Sequence, residues 1–261
     1  MTNKYFAKPI DFFNYLWYNN TTKAKESRPM NKIDHRIHYI MMTDTETCNT
    51  IVEEDGKLNM ESVLVYDLGW QVIDKRGNVY RQRSLVLRDI FFHEKELMAN
   101  AYYADKIPQY LKEIAEGKRI VCSLYEARQL YKADMAEYNT LTVCAHNASF
   151  DYRALQNTQR WVTKSRWRWF FPYGTEIWDT MAMARSTIAK QKSYISFCEK
   201  NGYLTALGKP RLTAEILYRY ISGDNDFVES HTGLEDVDIE RQILVHCFRQ
   251  HKAMEKTPFA D

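Results

Sequence analysis

Three strand-like segments crowd residues 37–87, and only two short ones follow them. The first, IHYIMMTDTET (37–47), is an apolar run that turns abruptly polar and reads as a buried strand ending at about residue 44. The second, SVLVYDLGWQVID (62–74), has strand character with an irregularity at Gly69. The turn Lys75-Arg76-Gly77-Asn78 then leads into VYRQRSLVL (79–87), which should pair with the second strand as a hairpin. The chain therefore opens its sheet with an antiparallel meander.

Beyond residue 88 the pattern changes. Residues 92–138 read as helical, with Ser123 and Glu126 spaced for a capping box. LTVCA (141–145) is a short apolar strand, followed by the polar break HNAS and a helix from about residue 149. EIWDTMAMA (176–184) reads as a strand end passing into a helix at Asp179, a residue better suited to an N-cap than to a ligand. SYISFCEK (193–200) is a short helix stopped by Asn201-Gly202, RLTAEILYRYI (211–221) has helical spacing on one face, and a final helix runs from about Gly233 past residue 250. This order implies an α/β domain with a mixed sheet and helices on its faces.

Composition fits that class. The chain has 261 residues, 45% hydrophobic and 27% charged, which excludes a mostly disordered chain. It has no apolar run near the ~18 residues of a membrane span, and its start lacks the uninterrupted apolar core of a signal peptide. The five cysteines are odd in number, widely spaced and form no C-x-x-C pair, against both a disulfide framework and a structural zinc site. A reducing, cytoplasmic setting is expected, with Cys144 and Cys198 as buried small hydrophobes. Residues 1–36 carry seven Lys/Arg and three Asp/Glu, leaving −2 of the total +2 for residues 37–261. This basic, aromatic-rich extension suits contact with nucleic acid or acidic lipid, and equally a solvated segment packed on the domain through Phe12, Phe13, Leu16 and Trp17. Residues 37–261 form the second expected domain.

Carboxylates carry the chemistry. Strand alternation points Asp44 and Glu46 to the same side, and two such groups side by side are unfavourable unless a cation or proton intervenes. A second D-x-E, Asp238-Ile239-Glu240, reads as helix surface. In HNASFDYRAL (146–155), Ser149 suits an N-cap and puts Asp151 in the first helical turn, where the helix dipole favours an acid whatever its role. In ESHTGLEDVDIERQIL (229–244), Thr232 and Glu235 match a capping box, so His231 lies just before the N-cap and Asp236 one turn inside. Each segment ends a strand or opens a helix, so Asp44, Glu46, Asp151 and Asp236 can converge on one rim of the sheet. An all-oxygen set suits hard divalent cations such as Mg²⁺ or Mn²⁺. Two ions ~3.5–4 Å apart can stabilise both the attacking and the leaving oxygen in phosphodiester cleavage, with a nearby His as base.

The strings TDTET (43–47), AHNASFDYRAL (145–155) and HTGLEDVDIE (231–240) together resemble the DEDDh class of 3′→5′ exonucleases, the DnaQ-like or ribonuclease T-like group. IWDTMAMAR (177–185) is similar to a recurrent stretch of that class, and VYDLGWQVIDKRGNVY (65–80) falls where the class has its second and third strands. The resemblance covers about residues 37–250 and is loose across 88–122. It implies a ribonuclease H-like mixed sheet flanked by helices and two Mg²⁺ or Mn²⁺ ions. It further implies that Asp44 bridges both ions, that Glu46 and Asp236 complete one site and that Asp151 supports the other, partly through water. His231 would be the general base, and Glu46 would also touch the terminal 3′-hydroxyl. Thr45 and Asn147 would lie at the nucleic-acid edge, and Phe150 in the core.

RWVTKSRWRW (160–169) interleaves basic residues with Trp161, Trp167 and Trp169. Arg166 and Arg168 are candidate phosphate contacts, while the tryptophans are expected to be buried. The expected activity is 3′→5′ exonucleolytic hydrolysis of single-stranded DNA or RNA to nucleoside 5′-monophosphates. The alternatives are a non-catalytic nucleic-acid-binding or assembly module, and a hydrolase of short oligonucleotides or small nucleotides. A homodimer and a separate polymerase or other replication or repair partner are compatible with the resemblance; a membrane is not expected.

Overall fold

The computed structural model describes residues 33–259. The chain divides between Arg36 and Ile37 into two compact units, and its described strands and helices all lie in the larger, Ile37–Asp261. The proposed leader contacts of Phe12, Phe13, Leu16 and Trp17 lie outside the described residues.

Strands β1 (Ile40–Cys48), β2 (Leu64–Ile73) and β3 (Val79–Leu87) form the antiparallel meander. β4 (Ile120–Cys122) adds to β3 in parallel, and β5 (Thr142–Ala145) and β6 (Glu176–Asp179) extend the other side in parallel with β1. The sheet order is β4-β3-β2-β1-β5-β6. Helices α1 (Arg88–Phe91), α2 (Lys95–Ala99), α3 (Ile107–Ala115), α4 (Leu124–Glu137), α5 (Ala148–Thr163), α6 (Thr180–Ser186), α7 (Lys192–Asn201), α8 (Ala214–Ser222) and α9 (Gly233–Arg249) flank it. This is the α/β architecture with a mixed sheet flanked by helices that the order of elements implied.

Burial follows from the sheet's place between helices. All ten residues of β2 are buried, as a strand covered on both faces requires. Ile40 and Met42 of β1 pack with Val237, Ile243 and Leu244 of α9. Leu64, Tyr66 and Val86 form a second cluster with Phe91, Met98 and Tyr110. The edge-to-face pair of Trp70 and Tyr131 joins β2 to α4, and Trp70 Nε1 donates to the buried Asp134 carboxylate, 2.9 Å. The five cysteines are free and buried. Among the described residues no helix is long and apolar enough to cross a membrane.

Three local expectations are corrected. Residues 92–138 are not one helical stretch, because Ile120–Cys122 forms a parallel edge strand; three residues are too few to show a period of two. β1 does not end near residue 44 but continues to Cys48, pairing with β2 as far as Leu64. Threonine is β-branched, so Thr43, Thr45 and Thr47 keep strand propensity where the apolar run stops. Gly69 is regularly paired opposite Asp44, and the register shifts fall at Glu46/Thr47 and Val72/Ile73 instead.

β5 pairs with β1 only at Met41 and Met42. From Asp44 onward, β1 therefore runs beside the start of α5. That crevice, where a parallel and an antiparallel neighbour diverge from one strand, is where α/β sheets gather ligands.

Candidate metal centre

Carboxylate oxygens of Asp44, Glu46 and Asp236 lie within 4.8 Å of one another. Alternation along β1 supplies the first two. Asp236 arrives because α9 starts against the strand at very short range. A Cβ on Gly69 would stand 2.4 Å from the Gly233 carbonyl carbon, and one on Gly233 would stand 3.0 Å from the Gly69 nitrogen. Only two facing glycines permit that approach, and it sets Asp236 over β1.

The start of α9 is held by charge as well as by shape. Asp67 is fully buried and accepts from Tyr110 Oη at 2.6 Å, Arg119 Nη1 at 3.0 Å and the Gly233 N–H at 3.2 Å. Arg119 is itself buried and also pairs with Glu113. Thr232 is the N-cap, as the T-x-x-E spacing implied, but the box is built differently. The Thr232 hydroxyl donates to Glu235, and Asp236 accepts the Thr232 N–H at 3.0 Å and the Ser230 hydroxyl at 3.1 Å. Asp236 thus caps the loop that carries His231.

Asp151 belongs to the first turn of α5 and accepts the Thr45 hydroxyl at 2.7 Å. Thr45 is therefore buried and committed to Asp151. The N-cap of α5 is Asn147, not Ser149. Asp179 explains the shift: its carboxylate accepts the Asn147 N–H at 2.9 Å while capping α6 through Met181 N–H at 2.8 Å. Asn147 is exposed in a left-handed conformation, and Phe150 is half-buried rather than core.

Every carboxyl group in the cluster is pushed above its ordinary value. Burial is the largest cause for Asp44, which stands well above the usual range with Glu240, Asp151, Glu46 and Asp236 adding repulsion. Burial, then Asp236 and Asp67, push Glu46 to about 9, with Lys106 opposing. Burial raises Asp151 to about 7 against the Thr45 hydrogen bond, and Asp236 to about 6 against the Ser230 and Thr232 bonds. Acids packed this way hold protons until a cation replaces them, so cation affinity should rise with pH.

His231 is not part of the three-carboxylate group. Its backbone is left-handed, φ 51°, and its ring stacks on Tyr103 with centroids 4.2 Å apart. Nδ1 lies 4.0 Å from Glu229. Burial and the Lys106 charge lower its pKa, and Lys106 in turn donates to the Ser230 carbonyl. The imidazole therefore stays a proton acceptor near neutrality, on the loop that Asp236 caps.

Two expectations fail here. Glu240 does not lie on the helix surface: it is 3% exposed, and its repelling neighbours are Asp151, Glu229 and Asp236. Asp238 does face outward, bonded to Arg241. The i,i+4 spacing of Asp236 and Glu240 is the signal that placed them on one face. The tryptophans of residues 160–169 are not buried either. Trp161, Trp167 and Trp169 are 39%, 76% and 51% exposed, under Lys164, Arg166 and Arg160 at 4.4, 4.6 and 5.5 Å respectively. α5 ends at a left-handed Lys164, which turns the segment outward. Arg166 and Arg168 are exposed with them.

No family model matches the chain, and no curated protein sequence does. Among solved structures it is similar to a 3′-exonuclease described in 3′-end specific recognition of histone mRNA stem-loop. That likeness has 14% identity, covers 97% of this chain and 78% of that one, and has a TM-score of 0.46. It is similar to the nuclease domain of 3′hExo, a DEDDh family member bound to rAMP, with 14% identity, 86% and 100% coverage and a TM-score of 0.48. It is also similar to S. pombe Pop2p in its Mg²⁺ and Mn²⁺ bound form, with 12% identity, 90% and 88% coverage and a TM-score of 0.48.

Proposed function

We propose that this chain is a metal-dependent 3′→5′ exonuclease of the DEDDh type, acting on single-stranded DNA or RNA and releasing nucleoside 5′-monophosphates. The observation that supports it is the group of Asp44, Glu46 and Asp236 oxygens within 4.8 Å. Asp151 is tied to the same strand through Thr45. The donor set is all oxygen and mutually repelling, with Glu46, Asp151 and Asp236 buried and Asp44 half-buried, which fits hard divalent cations reached from solvent. Asp44, Glu46 and Asp236 would hold one ion, and Asp44 with Asp151 a second. Bound there, the ions would offset charge on the attacking and leaving oxygens of the scissile phosphodiester. His231 would accept the proton of the attacking water, and Glu46 would orient the terminal 3′-hydroxyl. Asn147 would meet the substrate at the crevice mouth.

The exposed basic-aromatic segment would hold the substrate's upstream nucleotides. Thr163 lies about 18 Å along α5 from Asp151 at 1.5 Å per residue, roughly five stacked nucleotides at 3.4 Å each. Residues 160–169 hold four cations and no acid, and aromatic faces stack on unpaired bases without sequence preference. Trp167→Ala should raise KM for a ten-nucleotide strand roughly five- to tenfold, the low end of ~1–3 kcal/mol per stacked base, and Arg166→Ala with Arg168→Ala should raise it through lost phosphate contacts. The double arginine variant should also flatten the salt dependence. Turnover of a dinucleotide, too short to reach the segment, should not change; an equal loss on both substrates would remove this role.

The test of the function is a panel of labelled single strands of DNA and RNA, duplexes and dinucleotides, incubated with Mg²⁺ or Mn²⁺. Shortening of single strands that EDTA stops is expected. Part of the rate lost in His231→Ala should return at high pH, where hydroxide substitutes for the base. Binding without cleavage would leave only a nucleic-acid-binding module, and cleavage of dinucleotides alone would leave a hydrolase of short substrates.

A further inference from the structure

We propose that Glu240 is a fifth carboxylate of the metal centre, completing the ion position that Asp44 and Asp151 share. The inference rests on the exonuclease reading and adds a ligand to it.

Glu240 lies one turn beyond Asp236 on the face of α9 that covers β1. The residue is 3% exposed, and its Oε2 has no hydrogen-bond partner among the described residues. A buried carboxyl group ordinarily finds partners for both oxygens. Here the backbone N–H of His146, just past the end of β5, is the contact that favours the charged form. Asp67 also leaves one buried oxygen, Oδ1, without a partner, but its Oδ2 gathers an arginine, a tyrosine and a backbone donor, whereas no side-chain donor among the described residues serves Glu240.

Charge links Glu240 to the same acids. Glu240 is the largest charge neighbour of Asp44, and Asp151 is the largest charge neighbour of Glu240. Neither Glu240 nor Asp151 belongs to the group that Asp44 forms with Glu46 and Asp236. Asp44 forms one close group with Glu46 and Asp236, and in this proposal a looser one with Asp151 and Glu240, whose charges act on it without lying in that close group. Two oxygens alone are a sparse set for a hard cation, which prefers six or more, and a third carboxylate brings direct or water-mediated ligation closer to that number. The close packing of Gly69 on Gly233 brings the start of α9 onto the sheet, and Val237, Ile243 and Leu244 clustered with Ile40 and Met42 keep the neighbouring face, with Asp236 and Glu240, toward β1.

Titration calorimetry of the full chain with Mn²⁺ alone tests this without reference to turnover. The wild type should bind two ions. Glu240→Gln, which keeps size and shape, should keep the first ion at unchanged affinity and weaken the second at least ~10-fold, while its metal-free thermal midpoint stays equal or rises. Glu240→Asp keeps the charge with a shorter reach and should show the same loss in weaker form, which covers the case that the glutamine variant does not fold. Two ions at wild-type affinity in both variants would overturn the proposal and leave Glu240 a buried structural acid. Fewer than two ions in the wild type would overturn the two-ion reading and the place of Glu240 with it.

Discussion

Asp44→Asn should lower metal-dependent hydrolysis by at least ~10³-fold, about 4 kcal/mol of transition-state stabilisation, while making the metal-free protein more heat-stable at pH 8. Both effects come from one position. Asp44 belongs to the close carboxylate group and is the acid that both proposed ion positions would use, so its loss should weaken both. It is also the acid on which Glu46, Asp151, Asp236 and Glu240 all act repulsively, so removing its charge relieves the others. The pH dependence has a fixed sign. The site acids would titrate near 4 in an unfolded chain, whereas Asp236, Asp151 and Glu46 stand at about 6, 7 and 9 in the fold. The folded state binds more protons over that interval. Its contribution to stability is complete below about 4 and is lost as pH climbs toward about 9. Metal-free wild type should therefore melt lower at pH 8.5 than at pH 5.5. Asp44→Asn should flatten that fall, by about 2–4 °C for each kcal/mol relieved in a domain of this size. Scanning calorimetry in EDTA reads both slopes; a variant that melts lower than wild type at pH 8 would contradict the clustering of charge.

Gly69→Ala should cost roughly 3 kcal/mol of stability and weaken divalent-ion binding together. The new Cβ would meet the Gly233 carbonyl carbon at 2.4 Å, its oxygen at 2.6 Å and the Leu234 nitrogen at 2.6 Å. These are backbone atoms, so the clash cannot be relieved by a rotamer change, and overpacking of that kind costs ~1–3 kcal/mol or more. α9 must move away from β2. Asp236 and Glu240 move with it, and the Gly233 N–H leaves Asp67, whose burial is tolerable only while its partners remain. Ala substitution at Gly56, which has open space around it but a left-handed φ of 79°, is the control: it should cost ~1 kcal/mol of backbone strain and leave ion binding unchanged. Chemical denaturation measures the stability change and Mn²⁺ calorimetry the affinity. Loss of stability with wild-type ion affinity would separate the glycine contact from the site.

How much of this was legible in the sequence depends on how far each signal reaches. The hairpin turn at Lys75–Asn78, the same-side pair Asp44 and Glu46, and the start of α9 at Gly233 are set by neighbouring residues, and their periodicities show them. The full length of β1 was hidden, because its last residues are held by ladder partners on β2 rather than by an apolar pattern. Asp67 and Arg119 are 52 residues apart, so nothing local announces their buried pair. Glu240 and Asp238 share one D-x-E string, yet one is buried in the centre and the other bonds Arg241 outward. Which of them turns inward depends on the roll of α9, and that is set by its apolar residues packing against distant β1. The tryptophans of 160–169 would have the same composition buried or exposed; the left-handed end of α5 decides the matter.

The most direct measurement follows one single-stranded oligonucleotide with Mg²⁺, labelled at its 5′ end and prepared with either a free or a blocked 3′ end. Wild type should shorten the free strand one nucleotide at a time from its 3′ end, release nucleoside 5′-monophosphates and spare the blocked strand. Asp236→Asn, with its fold intact, should do neither. Internal cleavage, attack from the 5′ end, or undiminished shortening by Asp236→Asn would contradict the assignment of this centre to 3′→5′ hydrolysis.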